Sequence, residues 1–203
     1  TLDDLAKKLR AERFKKGSIA FDRIEVKFHL DEKGNPIGVY FKESKDANKL
    51  IEEFMLLANR RVAEFIGNPK GEKKPKPFVY RVHDEPDPEK LQTLSSFVKK
   101  FGYDFNPGGK NVASSLNGLI AEVQGQHEEN LIEQLAIRTM AKAEYTSRNI
   151  GHYGLGFAYY THFTSPIRRY PDVMVHRLLQ HYLDKGSAGN PQEIEEQCRH
   201  CLL

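Results

Sequence analysis

Two incompatible hydrophobic periods follow one another early in the chain, and only a fold that mixes helices with sheet satisfies both. Ile24, Val26, Phe28 and Leu30 alternate with Glu25, Lys27 and His29, the period of a half-buried strand. Lys33-Gly34-Asn35-Pro36 supplies turn chemistry, and Ile37 to Phe41 reads as the return strand of a hairpin. Ser44 then opens a helical pattern in which Leu50, Phe54, Leu57, Val62 and Phe65 contribute to a broad apolar face, with Gly67 at its stop and Pro69 beyond. The expected fold class is α+β, a mixed or antiparallel sheet with packed helices.

The remaining elements follow from their start and stop residues. Thr1 caps a first helix that should end near Glu12. Phe78 to Val82 reads as a short strand, and Asp87-Pro88 starts a helix that runs to Phe101 before Gly102. Two further helices are expected over 112–123 and 128–145. Another occupies the second part of 166–183, and a last one starts near Pro191.

With 203 residues, 39% of them hydrophobic, the chain can build one large domain or two small ones. Lys plus Arg number 31 against 28 for Asp plus Glu, so a polybasic arm or an acidic solvating tail is excluded as the main feature. Its apolar runs fall far short of the roughly 20 residues that span a bilayer, and no secretory segment opens it. No membrane partner is expected. The only cysteines, Cys198 and Cys201, exclude a disulfide framework and make a reducing cytoplasm the expected compartment. Their spacing is zinc-like, but no second pair completes four ligands. Starting on Thr1 and stopping inside a helical pattern, the chain is expected to be a piece of a longer protein.

The segment from Gly151 to Asp172 is the most unusual. Gly151, Gly154 and Gly156 let the backbone bend and approach something closely, among crowded aromatic and histidine side chains. Thr164-Ser165-Pro166-Ile167-Arg168-Arg169 then brings hydroxyls, open backbone N–H groups and two guanidiniums to a helix start, a combination suited to phosphate. Pro171 is costly inside a helix, so a short turn at 166–169 and a fresh helix near Pro171 are expected, holding Arg168 and Arg169 at an exposed bend. The plainer alternative is a glycine-rich connector whose arginines pair with surface carboxylates.

The run His162-Phe-Thr-Ser-Pro-Ile-Arg-Arg-Tyr-Pro-Asp-Val-Met-Val-His-Arg-Leu-Leu179 resembles the signature of the ribonuclease II and ribonuclease R family, whose catalytic module is the RNB domain. Gly17-Ser-Ile-Ala-Phe21, Asp46 to Asn59 and Tyr80-Arg-Val-His-Asp84 are similar to further family segments in the same order, with wording closer to the ribonuclease R branch. The resemblance spans nearly the whole chain and implies part of an RNB domain over 1–203. It implies a processive, hydrolytic 3′-to-5′ exoribonuclease that uses magnesium-activated water to release nucleoside monophosphates from single-stranded RNA 3′ ends.

By the same resemblance, Arg168 matches an arginine that contacts the phosphate at the cleavage point. Phe21 matches an aromatic that stacks on the terminal bases, Glu52 a carboxylate that reads ribose hydroxyls, and Arg169 a second RNA contact. Read from the residues alone, Phe21 on a strand is a core aromatic and Glu52 a solvated or salt-bridged carboxylate; only Arg168 stands out unaided. The family's closely spaced aspartates, which hold the metal, are missing, as are its cold-shock and S1 modules. No metal ligand and no bound cofactor is therefore expected in this chain, and in isolation it should lack nuclease activity. Two other readings stay open: an inactive RNB-like protein that only holds RNA, and a scaffold whose glycine–aromatic segment docks a protein.

Overall fold

A computed structural model describes residues 1–19, 25–42, 44–70, 74–109 and 111–201. The architecture is α+β. In chain order it runs α1 (Leu2–Lys15), β1 (Glu25–Leu30), β2 (Pro36–Lys42), α2 (Asp46–Gly67), β3 (Tyr80–Val82), α3 (Pro88–Val98), α4 (Val112–Val123), α5 (Glu129–Thr139), β4 (Glu144–Thr146), α6 (Tyr170–Leu183) and α7 (Pro191–His200). The strands form two separate antiparallel pairs, β1 with β2 and β3 with β4.

The expected hairpin is present, with Val26 opposite Phe41 and Phe28 opposite Val39. Asp31 closes it: its carboxylate accepts the backbone N–H groups of Lys33 (2.9 Å) and Asn35 (2.8 Å), while Gly34 takes a left-handed φ of +84°. The alternation pointed to one buried face, and there the structure differs. Val26, Phe28, Leu30, Val39 and Phe41 are all exposed, because no described element covers the apolar side.

Two buried clusters lie behind the site. In one, Phe78, Val79 and Val82 meet Ala63 and Ile66 of α2, Met174 and Val175 of α6, and Ile194 and Cys198 of α7. In the other, α3, α4 and α5 bury Leu91, Val98, Leu116, Leu119 and Ile132 around Phe105. A fully buried side chain of these types contributes roughly 1.5–3 kcal/mol. Asp87 caps α3 by accepting from Glu89 N–H at 3.0 Å, and Gly102 ends the following turn at φ +89°, as its start and stop residues indicate.

One boundary departs from expectation in a way that matters. The helix expected over 128–145 stops at Thr139, Met140 is extended, and Tyr145 lies on β4 opposite Arg81. Ala141-Lys142-Ala143 has good helix propensity, but the chain leaves the helix before them so that 144–146 can pair with β3, and that pairing overrides the weak preference.

Candidate RNA-contacting site

Residues 166–168 form the expected turn. The N–H groups of Arg168 and Arg169 donate to Ser165 carbonyl at 3.3 and 3.1 Å, and α6 begins at Tyr170 with Pro171 in its first turn. Ile167 is 97% exposed, so the turn stands proud of the surface. The segment before it is fixed by side chains. Asn59 of α2 accepts the backbone N–H groups of Phe163 (3.0 Å) and Thr164 (3.2 Å) on Oδ1, and donates through Nδ2 to the Tyr160 hydroxyl at 3.1 Å. Asp172 of α6, wholly buried, accepts Ser165 N–H at 2.7 Å and Arg169 Nη2 at 2.9 Å. His176 Nε2 lies 2.9 Å from the Phe163 carbonyl, which can only accept, and its ring stacks on Phe163 at 4.1 Å.

This corrects one expectation. The backbone N–H groups of residues 163–165, 168 and 169 are not open to a ligand, because the protein itself engages them. Recognition of an anion at this bend falls to side chains.

The two arginines are sorted differently. Arg169 pairs with Asp172, Nε lying 2.8 Å from Oδ2, and is mostly withdrawn from solvent. Arg168 is exposed and has no ion-pair partner among the described residues. Both line an open cleft of about 830 Å³, together with Tyr145 and Tyr170, and with Glu196 and His200 of α7 on the other wall. That wall is pinned to β4 by Glu195, which accepts from Thr146 Oγ1 (2.9 Å), Ser147 N–H (2.7 Å) and Ser147 Oγ (2.8 Å). Burial works to raise the Glu195 pKa, but those hydrogen bonds and Arg199 outweigh it and hold the carboxyl below its usual range.

Positive charge gathers behind the cleft. The Arg81 guanidinium lies 4.5 Å over the Tyr145 ring, and the Tyr145 hydroxyl is 2.7 Å from His162 Nδ1. Burial, then Arg169 and Arg81, push the His162 pKa down to about 4, so the ring is neutral at physiological pH. Burial, then His83 and Arg81, take His152 down to about 3.

The glycines approach protein rather than ligand. Gly154 N–H donates to His83 Nδ1 at 2.9 Å, which puts the His83 proton on Nε2, where it reaches the Ala141 carbonyl at 2.9 Å. Gly156 has φ +65°, and a Cβ there would sit 3.0 Å from the Lys16 carbonyl oxygen. The glycine-rich segment thus packs on β3 and on the end of α1.

Of the other candidates, Phe21 lies outside the described residues. Glu52 lies on α2, half exposed, 3.8 Å from Arg13 Nη2. Seven residues separate it from Asn59, so the two share a helix face about 10 Å apart along the axis. Its neighbour Glu53 is instead buried in an ion pair with Arg13 of α1, and Arg13 also donates to Ser18 Oγ at 2.7 Å. Sequence reasoning gave no role to Asn59, Glu53 or Asp172. A buried polar residue on an apolar helix face was the one available signal for Asn59. Among the described residues no group of three or more His, Cys, Asp or Glu could hold a metal ion, and no helix is long and apolar enough to cross a membrane.

An α+β unit with an exposed guanidinium at the lip of an open cleft is able to meet an anionic group. The RNB domain family model matches residues 1–185, and the chain belongs to that family. It is 41% identical to ribonuclease R of Thermotoga maritima over 200 residues, covering 95% of this chain and 27% of the relative. Among solved structures it is similar to Mycoplasma genitalium RNase R in complex with ribose-methylated single-stranded RNA (TM-score 0.82, 30% identity, 97% of this chain and 31% of that one). It is equally similar to the same enzyme in complex with double-stranded RNA (TM-score 0.80, 30% identity, 97% and 35%). The chain thus spans about a fifth to a third of the length of the relatives it matches.

Proposed function

We propose that this chain forms part of a processive, hydrolytic 3′-to-5′ exoribonuclease that takes single-stranded RNA from its 3′ end and releases nucleoside monophosphates in the cytoplasm. Arg168 contacts the phosphate at the cleavage point and offsets the charge that develops on its oxygens in the transition state. Glu52 and Phe21 hold the terminal nucleotides, Glu52 through ribose hydroxyls and Phe21 by stacking, and Arg169, itself paired with Asp172, is a second RNA contact beside Arg168. The observation that carries this reading is the Arg168 side chain: exposed, without an ion-pair partner among the described residues, and lining the cleft. The RNB family membership and the RNA held by the Mycoplasma enzyme support RNA as the polymer. The nuclease relatives make the non-catalytic reading the less favoured one.

Magnesium is the ion the family resemblance implies. The described residues do not fit it, since they bring together no carboxylate cluster.

The test is Arg168→Ala in the full-length protein, with kcat and RNA affinity measured separately. A transition-state contact predicts a loss of kcat on the order of 10²–10³ with affinity largely kept. Equal loss of both would refute that role.

A further inference from the structure

We propose that Asn59 is a positioning residue for Arg168, acting through the backbone it grips; the proposal rests on the phosphate-contacting role of Arg168 given above. Residues 163–165 are held mainly by side chains. Two of their three N–H groups end on the single Oδ1 of Asn59, and the third on Asp172. The Phe163 carbonyl is engaged by His176. Beyond this clamp come Pro166, which has no N–H, the exposed Ile167, and Arg168 itself. The N–H of Arg168 returns only to Ser165, the last clamped residue.

Asn59 is suited to this by its chemistry. Its oxygen takes two consecutive amides, and its amide nitrogen is spent on the Tyr160 hydroxyl, so the side chain cannot rotate without losing all three contacts. It is 3% exposed and sits on the longest helix of the chain, a rigid base. Glu52 rides the same helix two turns earlier. One rigid element therefore sets both the residue proposed to read the ribose and the turn proposed to hold the phosphate. The spacing between them is fixed along α2 rather than by the loop.

Four full-length variants test this: Arg168→Ala, Asn59→Leu, the double variant, and Asn59→Asp. The readouts are kcat, RNA Kd and circular dichroism. A displacement of about 1 Å can lower a rate on the order of 10²-fold, so Asn59→Leu should cut kcat roughly 10- to 100-fold. Its Kd should stay close to the parent value. In the Arg168→Ala background the same change should lower kcat little further, because its route is already gone. Asn59→Asp should recover part of the rate relative to Asn59→Leu, since a carboxyl oxygen can still accept the same two amides, although burial without a cation keeps the recovery incomplete. Equal kcat loss in both backgrounds, or no recovery with Asn59→Asp, overturns the proposal.

If Asn59→Leu does not fold, His176→Phe replaces it. That residue is exposed and the change keeps the ring while removing the bond to the Phe163 carbonyl. It should lower kcat only where Arg168 is present, and an unchanged kcat, or a loss independent of Arg168, rejects the clamp. A normal kcat for Arg168→Ala would instead sink the underlying reading of Arg168, a result visible before any clamp variant is made.

Discussion

Adjacent carboxylates on α2 should separate cleanly into a stabilising one and a working one. Glu53 is 3% exposed and its partner Arg13 is 5% exposed, and Arg10 Nη1 lies 3.8 Å from the same carboxylate. Removing Glu53 leaves a buried guanidinium with the Ser18 hydroxyl and only the more distant, half-exposed Glu52 carboxylate, and breaking a buried pair of this kind typically costs about 3–5 kcal/mol. Glu52 is half exposed and reaches Arg13 only at 3.8 Å, so its ion pair is worth about 0–1 kcal/mol. For a unit of this size, about 2–4 °C of melting temperature accompanies each kcal/mol. Glu53→Ala should therefore lower the melting temperature by roughly 6 °C or more, and Glu52→Ala by no more than about 4 °C.

Hydrogen exchange over α1 and α2 gives the same comparison locally in the full-length protein. The functional readout should invert the ranking. Glu52→Ala, alone or with Phe21→Ala, should change end-product length or relax discrimination against DNA, while any activity lost in Glu53→Ala should track the unfolded fraction. If Glu53→Ala proves as mild as Glu52→Ala, the buried pair does not hold α1 to α2, and the assignment of roles along this helix fails.

Two further outcomes follow from the buried titratable groups. His152 and His162 have folded pKa values depressed to about 3 and about 4, against about 6.5 unfolded, so the stability they contribute is present above pH 6.5 and lost as pH falls toward 4; chemical denaturation should show a slope of up to about 1.4 kcal/mol per pH unit for each, flattened in a His152→Asn, His162→Asn variant. Cys201 is partly exposed, whereas Cys198 is fully buried with its thiol pushed up to about 12, so alkylation of the native protein should mark Cys201 first and reach Cys198 only on unfolding; simultaneous labelling would contradict the packing of α7.

What the sequence carried is local. The turn at 166–168 and the restart at Tyr170 follow from Pro166 and Pro171 alone, because proline's missing donor and fixed φ act on its immediate neighbours. The hairpin and the long helix follow from their periods in the same way. What it did not carry is pairing at a distance. Asn59 acts on residues more than 100 positions away, and Glu53 meets Arg13 across 40. Nothing in the run Ile51-Glu52-Glu53-Phe54 marks which carboxylate turns inward. β4 was missed for a related reason: Tyr145 and Thr146 favour extended backbone, but a run of three residues is too short to show a period, and its pairing with β3 is what fixes it. The exposed hairpin is the converse case, since its alternation records a burial that no described element supplies.

The pair Arg168-Arg169 shows how neighbouring residues of one type acquire different tasks. Asp172 is wholly buried, where an unpaired carboxylate is costly, and Arg169 supplies its partner at 2.8–2.9 Å. Arg169→Ala should thus act first on stability, by about 3–5 kcal/mol, and loosen Ser165 through Asp172. Arg169→Lys keeps the charge and loses only the planar fork, so Asp172 stays paired and the loss should be a fraction of that. At position 168 the order of effects reverses. Arg168→Lys should leave stability unchanged, because no carboxylate among the described residues depends on it, yet lower kcat, because a point charge cannot hold two phosphoryl oxygens at once. Melting temperature and kcat measured on the two lysine variants decide the matter. An Arg169→Lys protein that folds normally but loses RNA affinity while its Arg168→Lys counterpart keeps full activity would mean that the guanidinium facing Asp172 is the one that meets the polymer.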